Sequence, residues 1–220
     1  MRVVVVGCGY VGLALAEQLR ARGHAVTGVR RSDAGIDAVD AVGPGVEAVR
    51  ADATDPESLS ALPDADAVVF AASSGGRGAD AAREVYVDGL ANVIDEYGSR
   101  ASPPARLVYT SSTGVYGDHD GGWVDEETPI DPTTEKTRVL AEAERVATER
   151  AADRGIDGTV VRFAGLYGPE RYRLERYVEG PVTAGYLNMV HRDDAAGAVR
   201  YLLETDRARG DVVLVVDDEP

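Results

Sequence analysis

At 220 residues the chain has room for one well-buried domain and a small appended lobe, but not for two full domains. A formal net charge of -15, with Lys136 the sole lysine and arginine carrying the remaining positive charge, excludes non-specific nucleic-acid binding, because the summed field repels phosphates and no basic stripe offsets it. With 44% hydrophobic and 28% charged residues there is no bilayer-length apolar run, and the lone Cys8 excludes an internal disulfide and a cysteine-rich zinc site.

The opening "MRVVVVGCGYVG" is broken by glycines and is followed by no small-residue cleavage site, so a soluble, cytoplasmic protein is expected. Scattered acids combined with arginine resemble the proteins of salt-accumulating microbes. An acidic protein from a GC-rich mesophile is the alternative. In molar salt the screening length falls to about 3 Å, so a halophilic chain of this kind would lose stability in dilute buffer.

In chain order, "RVVVV" at 2–6 is a β-branched strand, followed by apolar residues at helical spacing (Leu13, Leu15, Ala16, Leu19, Ala21). Between them lies "GCGYVG", Gly7 to Gly12, in the strand-to-helix context that a dinucleotide turn requires. Gly7 makes the turn, Gly9 lets a diphosphate approach, Gly12 lets helix and strand pack, and the first-turn N–H groups of Tyr10 and Val11 face the phosphates. Cys8 can be a thiolate stabilised by the helix start or a small residue filling tight space.

The second strand, 24–29, ends in "VRRSD". Where an NAD site usually has an acid for the ribose diol, Arg30 and Arg31 stand instead, suited to a 2′-phosphate. NADP is therefore expected, with NAD kept open by Asp33, which reaches the ribose if the strand ends later.

Strand-like runs recur at 46–51, 66–72, 105–111, 158–163 and 211–216, with helices at about 56–62, 79–97 and 134–154, the last bearing a stripe of Leu140, Ala143, Ala147 and Ala151. The βαβ alternation predicts an α/β, Rossmann-type doubly wound parallel sheet, with ligands beyond the carboxyl ends of its strands. A single NAD(P)-binding domain over 1–220 follows, with small substrate-lobe segments at about 164–191 and 205–220. Residues 113–133 form a long loop able to shape a site, with Trp123, Asp125, Glu126 and Glu127 as a lid edge or simply a solvated loop.

Several segments together carry a family resemblance. "VRADATD" at 49–55, "FAASS" at 70–74, "YTSSTGVYGD" at 109–118, "VRFAGLYGPER" at 161–171 and "MVHRDDAAGAV" at 189–199 resemble, in order, the marks of the short-chain dehydrogenase/reductase superfamily, in its extended epimerase/dehydratase branch. The resemblance implies that Asp52 and Ala53 meet the adenine and that Ala71, Ala72, Ser73 and Ala164 line the cofactor. It also implies that Ser112, with Thr113 beside it, binds the substrate oxygen, and that Tyr167 and His191 border the substrate. A small-molecule substrate follows, with a nucleotide sugar as the family example; a metal is not implied, and a homodimer stays open.

That branch carries Tyr-x-x-x-Lys on the helix after the long loop. Aligning Pro132 and Glu144 with the family's proline and glutamate puts Lys136 on the tyrosine and Leu140 on the lysine. The dyad is absent. Lys136 can replace the tyrosine as proton donor if burial lowers its pKa, or else it is a solvated helix-start lysine. Ser112 can equally be an end-of-strand hydroxyl serving the loop backbone. His191 can anchor its loop rather than touch substrate, and Asp193 or Asp194 is expected to cap the following helix. Two functions follow: an atypical oxidoreductase or epimerase-like enzyme acting on a carbonyl or secondary alcohol, or a non-catalytic NADP-binding redox sensor.

Overall fold

In the computed structural model, which describes residues 1–75, 78–172, 178–180 and 186–218, the β-branched runs become one parallel sheet. Its strands are β1 (Arg2–Val6), β2 (Ala25–Arg30), β3 (Val46–Arg50), β4 (Ala67–Phe70), β5 (Arg106–Ser112), β6 (Asp157–Phe163) and β9 (Val212–Val215). They run in the order β3-β2-β1-β4-β5-β6-β9, every pair parallel. The order reverses between β1 and β4, and such a reversal opens a crevice at the strands' carboxyl ends.

Period-two alternation sends Val3 and Val5 to one face and Val4 and Val6 to the other, and none of the four is more than 2% exposed. On the first face lie α1 (Tyr10–Ala21) and α2 (Asp33–Asp40). The second is covered by α3 (Pro56–Leu59), by α4 (Ala79–Arg83) and α5 (Leu90–Gly98) joined through a π-helical turn, and by α6 (Glu135–Arg145) and α7 (Ala151–Asp153) joined through another. The chain then returns to the first face with α8 (Arg192–Thr205), which packs on α1. Two apolar cores result, one on each side of the sheet.

β1, β4, β5 and β6 are covered on both faces as their continuous apolar character requires, whereas the edge strands β3 and β9 are only half-buried. Helix α2 has no counterpart in the sequence reading, because it buries only Gly35 and Val39 and so leaves too thin a stripe. Its start is marked by Ser32, whose hydroxyl accepts from the Gly35 N–H at 3.3 Å.

The buried stripe of α6 and α7 is Val139, Ala143, Ala147 and Ala151. Leu140 is half-buried and belongs to neither core, one position out of phase with the expectation. A spacing of four is kept through the π-helical turn at Val146–Arg150, where regular helix would alternate threes and fours.

Within 164–191, β7 (Gly165–Tyr167) and β8 (Met189–His191) pair in parallel as a separate two-stranded sheet; three residues are too few to show periodicity. Residues 173–177 and 181–185 of that expected lobe lie outside the described residues. Of the segment 205–220, β9 joins the main sheet beside β6. Among the described residues no helix is long and apolar enough to cross a membrane.

Candidate cofactor and active site

The turn after β1 requires glycine at its first position and is tight at the other two. Gly7 has φ +76°, and a Cβ there would lie 2.2 Å from Ala72 Cα, on the turn after β4. At Gly9 an added Cβ would lie 2.6 Å from Arg30 Nη1, and at Gly12 it would meet Val5 Cγ1 at 3.1 Å. Gly9 caps α1 without any side-chain bond, which leaves the first-turn N–H groups of Tyr10, Val11 and Gly12 for a ligand. These residues fit a dinucleotide diphosphate, since the first-turn N–H groups of α1 carry no side-chain cap and Gly9 places no side chain over them. Cys8, between them, is buried, and burial pushes its thiol up to about 12 against the pull of Arg30. Of its two readings, the space-filling one holds.

β2 ends at Arg30, and Asp33 lies beyond it, on the first turn of α2. Asp33 is paired with Arg50 and 90% exposed. The guanidinium of Arg30 lies over Gly9 and Gly35 and has no carboxylate partner among the described residues. Arg31 crosses the next part of the cleft. Its Nη1 is 3.6 Å from Asp52 Oδ2, and its Nη2 reaches toward Gly75 on the β4 turn.

Asp52 is oriented by Thr54, whose N–H and hydroxyl both donate to Oδ1 at 3.0 and 2.9 Å. Burial raises its pKa, but the Thr54 bonds and Arg31 outweigh it and hold the carboxyl below its ordinary value. Ala53 is fixed by Asn92, which donates to its carbonyl at 3.0 Å. On the turn after β4, the Ala71 N–H donates to Val6 O at 2.8 Å, Ala72 closes on Gly7, and Ser73 is exposed. The sequence reading did not include Tyr86, whose hydroxyl accepts from the Ser74 N–H at 3.2 Å and props this turn.

Beyond β5, Ser112 Oγ accepts from the Gly114 N–H at 3.2 Å and caps the short turn Thr113–Tyr116. That bond uses an oxygen lone pair and leaves the hydroxyl proton to be donated. Thr113 Oγ1 accepts from Asn188 at 3.3 Å, tying the β5 loop to the segment before β8. Helix α6 begins beside Ser112, with Thr137 Cγ2 3.7 Å from the Cβ position of Gly114. Lys136 is exposed on its first turn, so the burial that its use as a proton donor would need is not provided. Leu140, a turn later, supplies no cation. Among the described residues no group of His, Cys, Asp or Glu is placed to hold a metal ion.

Beneath this surface lies a polar network that the sequence reading missed. Glu144 and Arg162 form a bidentate pair at 3.0 and 2.7 Å, with side chains 7% and 6% exposed. Ser111 donates to Glu144 at 2.6 Å, Arg162 donates to the Tyr116 hydroxyl at 2.7 Å, and Tyr116 donates to the Asp125 carbonyl. An arginine inside the apolar run "TVVRF" was the available signal.

Tyr167 and His191 are committed to holding the β7–β8 corner. Tyr167 hydrogen-bonds Asp217, which together with slight desolvation raises its pKa, and its ring meets His191 edge-on at 5.2 Å. The His191 N–H donates to Asp217 Oδ1 at 3.2 Å, and its Nδ1 accepts from the Asp193 N–H at 3.2 Å. His191 is therefore the cap of α8, a role expected for Asp193 or Asp194; the imidazole nitrogen takes the place of a carboxylate, two or three residues earlier than anticipated. Ala164 is buried, with its N–H donating to Val215 O. In the long loop, Asp125 Oδ1 binds Thr128 and Glu126 accepts from the Leu214 N–H at 2.9 Å, so these acids fasten the loop rather than edge a lid. Trp123 is 78% exposed and stacks on Tyr186 at 5.2 Å.

A profile of the NAD(P)H-binding family matches residues 7–206. Protein YeeZ of Escherichia coli K12 is 34% identical over 211 residues, which cover 94% of this chain and 74% of that protein. A Methylobacillus flagellatus structure described as a candidate NAD-dependent epimerase/dehydratase superposes with a TM-score of 0.81 at 30% identity, covering 100% of this chain and 76% of the other. A dTDP-glucose 4,6-dehydratase variant of Streptomyces venezuelae, solved with NAD bound, matches with a TM-score of 0.79 at 23% identity over 98% of this chain and 75% of its own, which is a likeness of fold. The chain belongs to the NAD(P)H-binding family, in an atypical, epimerase/dehydratase-like branch of the short-chain dehydrogenase/reductase superfamily.

Proposed function

We propose that this protein is an NADP-preferring oxidoreductase of the epimerase/dehydratase type, acting on a carbonyl or secondary alcohol. A nucleotide-linked sugar is the first substrate class to test, since the dehydratase of like fold is named for one. The observation that carries the cofactor preference is Arg30, a guanidinium without a carboxylate partner among the described residues, at the end of β2 and against the glycine turn. A nicotinamide cofactor, when bound, supplies hydride transfer. The chain's own residues bind its diphosphate at Gly7–Gly12, meet a 2′-phosphate with Arg30 and Arg31, and face the adenine with Asp52 and Ala53. Ser112 donates its free hydroxyl proton to the substrate oxygen, and with Lys136 exposed the proton exchange falls to water. Losing a positioned acid/base group costs about 100- to 10,000-fold, so turnover is expected to be slow.

Calorimetric titration of NADP⁺, NADPH, NAD⁺ and NADH tests this. NADPH is expected to bind tighter than NADH, and Arg30→Ala to weaken NADPH about 10- to 100-fold while changing NADH little. An unchanged NADPH-to-NADH ratio in that variant would remove the preference.

The exposure of Lys136 and the apolar Leu140 favour a second reading, a non-catalytic NADP-binding redox sensor. Absence of hydride transfer across a broad carbonyl and alcohol panel, with a strong preference for one redox form, selects the sensor. Measurable turnover of any member of that panel selects the enzyme.

A further inference from the structure

The glycine turn is flanked by a second group of residues that its motif does not contain. Tyr10, the first residue of α1, lies beneath the guanidinium of Arg171, 4.0 Å from ring centroid to Cζ, and Arg192 stands 5.4 Å from the same ring. The loop bearing Arg171 reaches this position because Gly168, at φ +136°, passes close to α1. A Cβ on Gly168 would lie 3.1 Å from Tyr10 Oη and 3.0 Å from His191 Nε2. The Tyr10 hydroxyl is buried and has no hydrogen-bond partner among the described residues.

The charges of the two arginines are used differently. Arg192 is held by Asp193 at 2.8 Å. Arg171 is exposed, and among the described residues it has no carboxylate partner, in a chain with 38 acids. Stacking on Tyr10 holds its planar fork beside the uncapped first turn of α1 without neutralising it. Arg30 is uncommitted in the same way on the other side of Gly9. Two available guanidinium groups thus flank one set of free N–H groups.

We propose that Arg171 is a ligand for the diphosphate of the bound dinucleotide, contacting it from the β7 side while the first turn of α1 holds it from below. The inference rests on the cofactor reading above and adds to the glycine motif a residue distant in sequence. It also assigns the Arg171 loop to cofactor binding rather than to substrate.

The test compares native protein with Arg171→Met and Arg171→Lys at one fixed KCl concentration, by calorimetry. The probes are adenosine 2′-monophosphate, which lacks the diphosphate, and both ADP-ribose and its 2′-phosphate, which carry it. Arg171→Met is expected to weaken whichever diphosphate probe the native protein binds tighter by about tenfold or more. Adenosine 2′-monophosphate should be unaffected, and Arg171→Lys should recover part of the loss. Unchanged affinity for the diphosphate probe overturns the assignment of Arg171 and leaves the cofactor reading standing. Equal weakening of the monophosphate also overturns it, since that would be a long-range effect of charge. If native protein binds neither diphosphate probe, the cofactor reading itself fails, and the failure is visible before any variant is made. Because Arg171 is exposed, unchanged melting of both variants serves as the folding control.

Discussion

Cys8 shows at the scale of one residue how a reactive-looking position is made inert. It sits at a helix start that would favour a thiolate, yet its side chain is fully enclosed and desolvation dominates. With the folded thiol raised to about 12 and the ordinary value at 9.0, its contribution to stability is complete below pH 9 and is lost as pH rises from there toward 12. A thiol reagent at pH 8 should therefore leave the native protein unlabelled and label it fully after unfolding. Rapid labelling of native protein would contradict the burial. The turn at Gly7 and the close helix–strand packing at Gly12 were legible in the sequence, because their spacing encodes local backbone geometry. Arg171 was not, since nothing along the chain states that Gly168 brings its loop against α1.

Among the elements, the seven main strands were legible within a residue or two because β-branched runs declare themselves, whereas α2, β7 and β8 were too thinly apolar or too short. The phase of α6 was misjudged by one position, at Leu140 in place of Val139, since a π-helical turn changes the spacing that a sequence pattern assumes. The pair Glu144–Arg162 joins α6 to β6 and, through Tyr116, fastens the loop that follows β5. Arg162→Met leaves a buried carboxylate uncompensated and should cost about 3–5 kcal/mol. For a chain of this length that is a fall in Tm of about 6–20 °C. Adding Glu144→Gln to Arg162→Met should recover much of the loss in a double-mutant cycle. Melting curves check both, and additive losses would show that the two side chains act independently.

Across the whole molecule, two electrostatic effects of opposite sign meet. Contact pairs such as Arg83–Glu142 at 2.6 Å and Arg154–Asp95 at 2.8 Å join separate helices, while a net charge of -15 repels itself over longer distances. Molar KCl shortens screening to about 3 Å, which removes the long-range repulsion but spares pairs already in contact. Tm is therefore expected to rise between 0.1 M and molar KCl, and a fall would show that the ion pairs dominate instead. The fastening at Asp217 carries a different consequence. The glycine turn, Arg30 and Asp52 all belong to the first quarter of the chain, whereas the wall that carries Arg171 is held by Tyr167, His191 and Asp217. During synthesis the glycine turn and the residues flanking it from β2 and β3 can assemble soon after β4 has left the ribosome. The opposite wall cannot be secured until Asp217 has emerged, so a nascent chain passes through a stage with half a cleft.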